Sequence, residues 1–181
     1  MKKTIAILAL ALAAFAAGAE RFAAASGSVV KIEGTSTLHA WSMEGNTIAG
    51  QINSETLTAV VTIPVASIKS EHAKMDKLMA EALKAKQYPE IRYELTQATP
   101  PGAGASFTMK AHGKLTIAGV TRDVTLDVQG TRNADGKYTF IGSAPLKMTA
   151  FGIKPPTAML NTIKTGDDVT VTFRWVVEKT N

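Results

Sequence analysis

The sequence predicts a mainly β fold: one antiparallel β-barrel of about eight strands, with a single amphipathic α-helix packed near one end. Between Phe107 and Val128, apolar and polar residues alternate on either side of Ala118-Gly119-Val120-Thr121, as a hairpin with one buried face requires. Most of the remaining chain repeats that period of two, and only one segment carries a helical period. One helix cannot cover such a sheet. Closure of the sheet on itself removes its edges and buries the apolar faces together.

Taken in order, Met1-Lys2-Lys3, an uncharged run from Thr4 to Ala17 and the small residues Ala17-Gly18-Ala19 read as a cleaved export signal over residues 1–19. Residues 20–27 read as a flexible leader, and residues 28–181 as one barrel domain. Val29 to Glu33 and Leu38 to Glu44 are expected as strands interrupted by Gly34. Thr47 to Ile52 and Leu57 to Ile63 form the next pair, which Pro64 ends because it cannot donate to a ladder.

The helix is expected from Ser70 to Gln87, where Met75, Leu78, Met79, Ala82 and Leu83 recur on one face and Lys74, Lys77, Glu81 and Lys84 on the other. Ser70 suits the N-cap, and Pro89 ends the segment with Tyr88 extended before it. Ile91, Tyr93 and Leu95 then alternate with Arg92 and Glu94 ahead of the loop Pro100 to Gly104. The hairpin follows. Asn133 to Gly136 is a turn, Tyr138 and Phe140 open a strand that Leu146 and Met148 continue, and Phe151-Gly152-Ile153 leads into a loop carrying Met159 and Leu160. Gly166-Asp167-Asp168 reads as a solvated turn before a final strand in which Val169, Val171, Phe173, Trp175 and Val177 share a face.

Composition narrows the chemistry. Without Lys2 and Lys3, the 162 residues from Glu20 onward carry 18 Lys and Arg against 15 acidic residues, and the formal charge falls from +5 to +3. These cations are scattered at outward positions, without the basic stripe and interleaved aromatics of a nucleic-acid groove. Zero cysteines exclude disulfides, thiolate metal sites and a thiol nucleophile. Three histidines, His39, His72 and His112, stand in no metal-ligand spacing, and Asp76 or Asp167-Asp168 are weak metal candidates. No Gly-x-Ser-x-Gly elbow, phosphate-binding loop or inward carboxylate pair is present, so the chain reads as a non-enzyme without a cofactor.

The order and spacing of several short elements add to this reading. They are Gly34-Thr35-Ser36-Thr37-Leu38-His39-Ala40-Trp41, Met75-Asp76, Leu83-Lys84, Tyr88-Pro89-Glu90-Ile91, Gly113 to Thr121, Phe151-Gly152-Ile153 and Gly166-Asp167-Asp168-Val169. With them the chain from residue 20 onward resembles the YceI-like family. The resemblance implies an exported, lipocalin-like barrel, periplasmic or secreted, that binds a long isoprenoid such as a polyprenyl quinone in its interior.

Under that reading the expected ligand-binding residues are Trp41, Met75, Leu78, Met79, Leu83, Tyr88, Tyr93, Phe107, Met109, Phe140, Met148, Phe151, Phe173 and Trp175. The aromatic residues bring the largest apolar areas, and the methionines, Met159 among them, adapt to a flexible tail. His39 is the candidate head-group contact. Two rival readings are a structural or protein-interaction barrel of the cell envelope with a filled core, and an outer-membrane barrel, since a period of two does not say which face meets lipid. The sequence leaves the oligomeric state open, a homodimer included.

Overall fold

Strand β11 (Ile163–Thr180) closes the wall of the computed structural model, which describes residues 20–158, 160 and 162–180. Residues 1–19, with the proposed signal, and Met159 lie outside the described residues. One edge of β11 pairs with β9 (Tyr138–Lys147) from Asp168 to Val177. Its other edge pairs first with β2 (Val29–Ser36) and then, from Val177 to Thr180, with β1 (Arg21–Ala24).

Between β1 and β2 the chain bends, and Ser28 spans the gap in the ladder. Its hydroxyl lies 3.0 Å from the Ala25 carbonyl and accepts from the Val176 amide at 3.0 Å. β1 and β2 therefore act as one bent stave. β3 (Ala40–Gly45) and β4 (Ala49–Asn53) form the next, β3 paired to β2 and β4 to β1. Antiparallel pairing then continues through β5 (Thr58–Pro64), β6 (Glu90–Ala98), β7 (Ser106–Ile117), β8 (Val120–Arg132) and β9 to β11. The result is the closed, eight-staved antiparallel barrel that the alternation predicts, with the two-residue β10 (Thr157–Ala158) outside it on β11.

This closure corrects one sequence expectation. The supposed leader is a wall strand, and Phe22 is only 7% exposed. Four residues, two of them alanine, are too short to display a period.

Two slits in the wall are closed by other means. The outer edge of β3 meets Lys69 instead of a strand, through the paired amide and carbonyl groups of Glu44 and Lys69 at 2.7 Å each. Beyond Gly142, β9 has no β8 partner, which accommodates Pro145. A 3-10 turn at Met148–Phe151 packs there, and Arg122 Nε donates to the Ala150 carbonyl at 2.8 Å. Met148 thus lies in this turn and not in the preceding strand.

Helix α1 (Ala73–Ala82) is shorter at both ends than the expected span from Ser70 to Gln87. His72 occupies the N-cap position, while the Ser70 amide and hydroxyl both lie 2.7 Å from Asp76 Oδ1. Those hydrogen bonds hold the Asp76 carboxyl below its ordinary pKa. At the other end Lys84 takes φ +52°, and the Ala85 amide bonds to the Ala80 carbonyl and that of Lys84 to Glu81, a Schellman closure without glycine. The helix stops there, five residues before Pro89.

Gly166-Asp167-Asp168 likewise lies inside β11, at an irregularity in its register with β2. Asp167 accepts from the Thr149 amide (2.8 Å) and hydroxyl (2.7 Å), which lowers its pKa and pins the 148–151 turn, while Asp168 pairs with Lys147 at 2.7 Å. An apparent turn motif is here a clamp between a strand and the slit cover.

The outward face carries charge. Lys110 meets Asp127 at 2.6 Å and Lys114 meets Asp123 at 3.0 Å across the β7–β8 pair, with His112 Nδ1 2.8 Å from the Thr125 hydroxyl between them. A membrane-spanning barrel presents apolar side chains on that face, so the outer-membrane reading loses its support.

The β7–β8 connection is a two-residue turn with φ +49° at Ala118 and +82° at Gly119, the positive pair that a type I′ hairpin requires. A methyl added at Gly119 would lie 2.4 Å from Tyr88 Cζ. Gly136, at φ +83°, has nothing within 4 Å. Gly136→Ala is therefore expected to cost only its backbone strain, about 1 kcal/mol, and Gly119→Ala about 2–4 kcal/mol because the Tyr88 ring must also move. Urea unfolding of the two variants side by side checks the difference.

Candidate functional site

The inner faces of the strands enclose a cavity of about 970 Å³. Its lining runs from Trp41 and the helix at one end, past Tyr93, Leu126 and Phe173, to Phe22, Phe107 and Tyr138 at the other. Alternation within each strand explains this directly: every second side chain points inward, and those side chains are the apolar set.

Inner wall positions combine aromatic residues with glycine, and the pairing shapes the lumen. Trp41 lies over Gly34, Phe107 over Gly130 and Phe173 over Gly142, each directly across the ladder. Tyr93 covers Gly113 from the diagonal position. Each ring lies against backbone where a neighbour lacks a Cβ, so it lines the wall instead of filling the middle. Towards the end away from the helix, Phe140 lies 6.3 Å from Phe107, 6.4 Å from Tyr138 and 6.0 Å from Trp175, ring centroid to centroid. Arg132 closes that corner. Its guanidinium stands 4.8 Å from the Phe107 ring and donates to the carbonyls of Gly102 and Gly104, tying down the loop before β7.

The charged residues of the lining stand at the two rims, Glu20, Glu55 and Arg132 at the end away from the helix. Inside, the Tyr93 hydroxyl donates to the Ala111 carbonyl at 3.3 Å, and burial pushes its pKa up to about 12. Trp175 Nε1 is the one buried side-chain polar atom without a hydrogen-bond partner among the described residues. At the helix end the rim includes Ser36, His39, His72, Lys74, Lys147 and Thr165. His39 Nδ1 lies 2.7 Å from the Ala40 carbonyl, which can only accept, so Nδ1 donates there and Nε2 is left for other partners.

Of the residues singled out from the sequence, Trp41, Met75, Leu78, Met79, Leu83, Tyr93, Phe107, Met109, Phe140, Met148, Phe151, Phe173 and Trp175 all border the cavity, and His39 stands at its rim. Tyr88 does not. It packs on Gly119 at the tip of the β7–β8 hairpin, outside the barrel wall. The strand expected from Leu38 begins only at Ala40, so His39 lies in the connection between β2 and β3. Sequence reasoning missed Phe22, assigned to the leader, and Arg132, whose role depends on a loop 30 residues away. Alternation in Phe22-Ala23-Ala24 was too brief to flag it.

Residues 14–177 match the YceI-like domain. The chain belongs to the YceI-like family. A UPF0312 protein of Pseudomonas putida (strain W619) is 30% identical over 187 residues, covering 90% of this chain and 93% of the relative. A UPF0312 protein of Pseudomonas aeruginosa (strain LESB58) is 31% identical over 176 residues, covering 85% and 88%.

Among solved structures, a polyisoprenoid binding domain from Saccharophagus degradans superposes with a TM-score of 0.74 at 14% identity, over 90% of this chain and all of that one. Burkholderia cenocepacia BcnA gives 0.67 at 24% identity, over 82% and 95%. At such identities these two establish that this YceI-like chain shares their fold.

Two outcomes test the wall geometry. A methyl at Gly142 would lie 2.5 Å from Phe173 Cζ. Gly142→Ala should therefore drive that ring into the lumen, costing about 1–3 kcal/mol of stability and weakening the uptake of a fluorescent apolar probe. For Tyr93 the unfolded value is near 10 and the folded one about 12, so its contribution to stability is present below pH 10 and lost as pH rises through about 12. Ultraviolet titration should show one of the three tyrosines ionising last, and Tyr93→Phe should abolish that step.

Proposed function

We propose that this YceI-like chain is an exported lipid-binding protein that holds a long isoprenoid or a similar amphiphile inside its barrel, and that it is not an enzyme. One observation carries the reading: a cavity of about 970 Å³ runs between the two ends of the barrel behind an apolar lining. Burial contributes roughly 0.8 kcal/mol per methylene, so an extended tail gains most of its affinity from the wall alone. Met75, Met79, Met109 and Met148 let the lining follow a flexible chain. Such a site offers no acid or base within the lumen, and Tyr93, its deepest ionisable group, is held neutral. The fold shared with a polyisoprenoid binding domain supports the same class of ligand.

Polar groups fix the orientation of the amphiphile. The tail runs towards Phe107 and Phe140, and the head stays at the helix-end rim, where Lys74 and His72 offer donors and His39 offers Nε2. An uncharged quinone-like or hydroxylated head is compatible with the His39 imidazole, and an anionic one with Lys74.

Mass spectrometry of organic extracts of the chain purified after export should show a long apolar amphiphile. Trp41 and Trp175, the only two tryptophans, both border the lumen, so adding detergent-dispersed polyprenol should shift their fluorescence. Leu126→Glu places a carboxylate in the middle of the tail path and should weaken that response about 100-fold, with the fold retained by circular dichroism. No extracted lipid together with no fluorescence change would overturn the proposal and leave a structural or protein-interaction barrel.

A further inference from the structure

The rim at the helix end carries two features that the lumen does not use. Leu38 is 67% exposed and Leu160 102%, the two most exposed large apolar side chains among the described residues. They flank the same opening. Leu38 stands between the rim residues Ser36 and His39, and Leu160 between the rim residues Pro156 and Ile163. Thr37 ties the two loops together: its amide donates to the Lys164 carbonyl at 2.9 Å, its hydroxyl donates to the Thr162 carbonyl at 3.3 Å and accepts from the Lys164 amide at 3.2 Å. By contrast Val60 and Ile141, the other exposed apolar residues, sit singly on the outer wall.

Charge follows the same rim. Segments 69–86 and 147–168 carry eight lysines against five acidic residues, and this excess of three equals the net charge of the whole chain from Glu20 onward. Among the acidic residues Asp76 is bonded by Ser70, Asp167 by Thr149, and Asp168 by Lys147, which leaves Glu71 and Glu81. Lys74, Lys154 and Lys164 belong to none of the ion pairs among the described residues. Exposed apolar tips set among unpaired cations are what an anionic lipid surface binds, since leucine enters the headgroup boundary while lysine ammonium groups remain at the phosphates. A soluble protein partner requires neither feature at the mouth of a lipid cavity.

We infer that this rim is a membrane-docking surface, with Leu38 and Leu160 dipping into an anionic bilayer and Lys154 and Lys164 meeting its phosphates, so that the lumen opens towards the bilayer from which a tail is loaded. This rests on the lipid-holding reading, and the two are separable by experiment. The chain expressed from its full sequence and purified should co-sediment with phosphatidylglycerol vesicles, release at high salt and bind phosphatidylcholine vesicles weakly. The double variants Leu38→Asp with Leu160→Asp, and Lys154→Glu with Lys164→Glu, should each weaken sedimentation about tenfold or more. All four positions are outside the lumen, so uptake of detergent-dispersed polyprenol should stay at the native level.

Equal sedimentation of native and variant chains, no binding to either vesicle, or equal binding to both would overturn the docking surface. So would a protein partner lost in the leucine variant while vesicle binding is unchanged. Docking with native salt and lipid dependence but no polyprenol uptake would uphold the surface and remove the lumen reading instead.

Discussion

A barrel with a cavity at its centre stands only if its wall is self-sufficient. Here the wall depends on β11, which spends one edge on β9 and divides the other between β2 and β1. The ladder so formed satisfies the backbone groups that an open sheet would expose. It also relieves the interior of the task of joining two sheets face to face. A sandwich cannot lose its middle layer, whereas a closed cylinder can. Ser28 matters for this reason: it carries the hydrogen bonding across the bend at which β11 changes partner, and it is one of two buried polar residues among the described residues.

Given closure, the second constraint is the thickness of the lining. Eight strands make an interior that side chains can fill or that can hold one ligand, and the choice rests with the inward residues. This chain places glycine where a ring must lie flat. Trp41, Phe107 and Phe173 gain contact with backbone on one side and leave the other side to the lumen. The remaining apolar packing gathers in two clusters, one under the helix and slit covers around Met43 and Phe151, the other at the far end around Phe22 and Val177. Phe22, Met43, Phe151 and Val177 also border the cavity, so the same side chains hold the wall together and line it.

The two ends of the cylinder differ chemically. The far end carries aromatic rings, the Arg132 clasp on the Gly102–Gly104 loop, and Glu20 and Glu55, whereas the helix end is a rim of histidine, lysine and hydroxyl groups. That asymmetry gives the proposed ligand a direction, and the basic rim gives the whole molecule one.

Alternation along β5 to β9 and β11 and the stripe of Met75, Leu78, Met79 and Leu83 were legible in the sequence because each is a local period that burial of one face imposes. Closure followed from them, since so many one-sided strands with one helix have no other way to hide their edges. What the chain alone could not reveal depends on partners distant in sequence. Phe22 joins the wall only because β4 and β11 lie on either side of it, and Tyr88 leaves the lumen because Gly119 offers it a seat. Gly166-Asp167-Asp168 is a clamp and not a turn because Thr149 and Lys147 donate to its carboxylates. Whether inward aromatics fill a barrel or line it is likewise a matter of cross-strand register, which sets a ring opposite a glycine. A period of two specifies the side on which a residue lies; only the assembled wall decides what faces it.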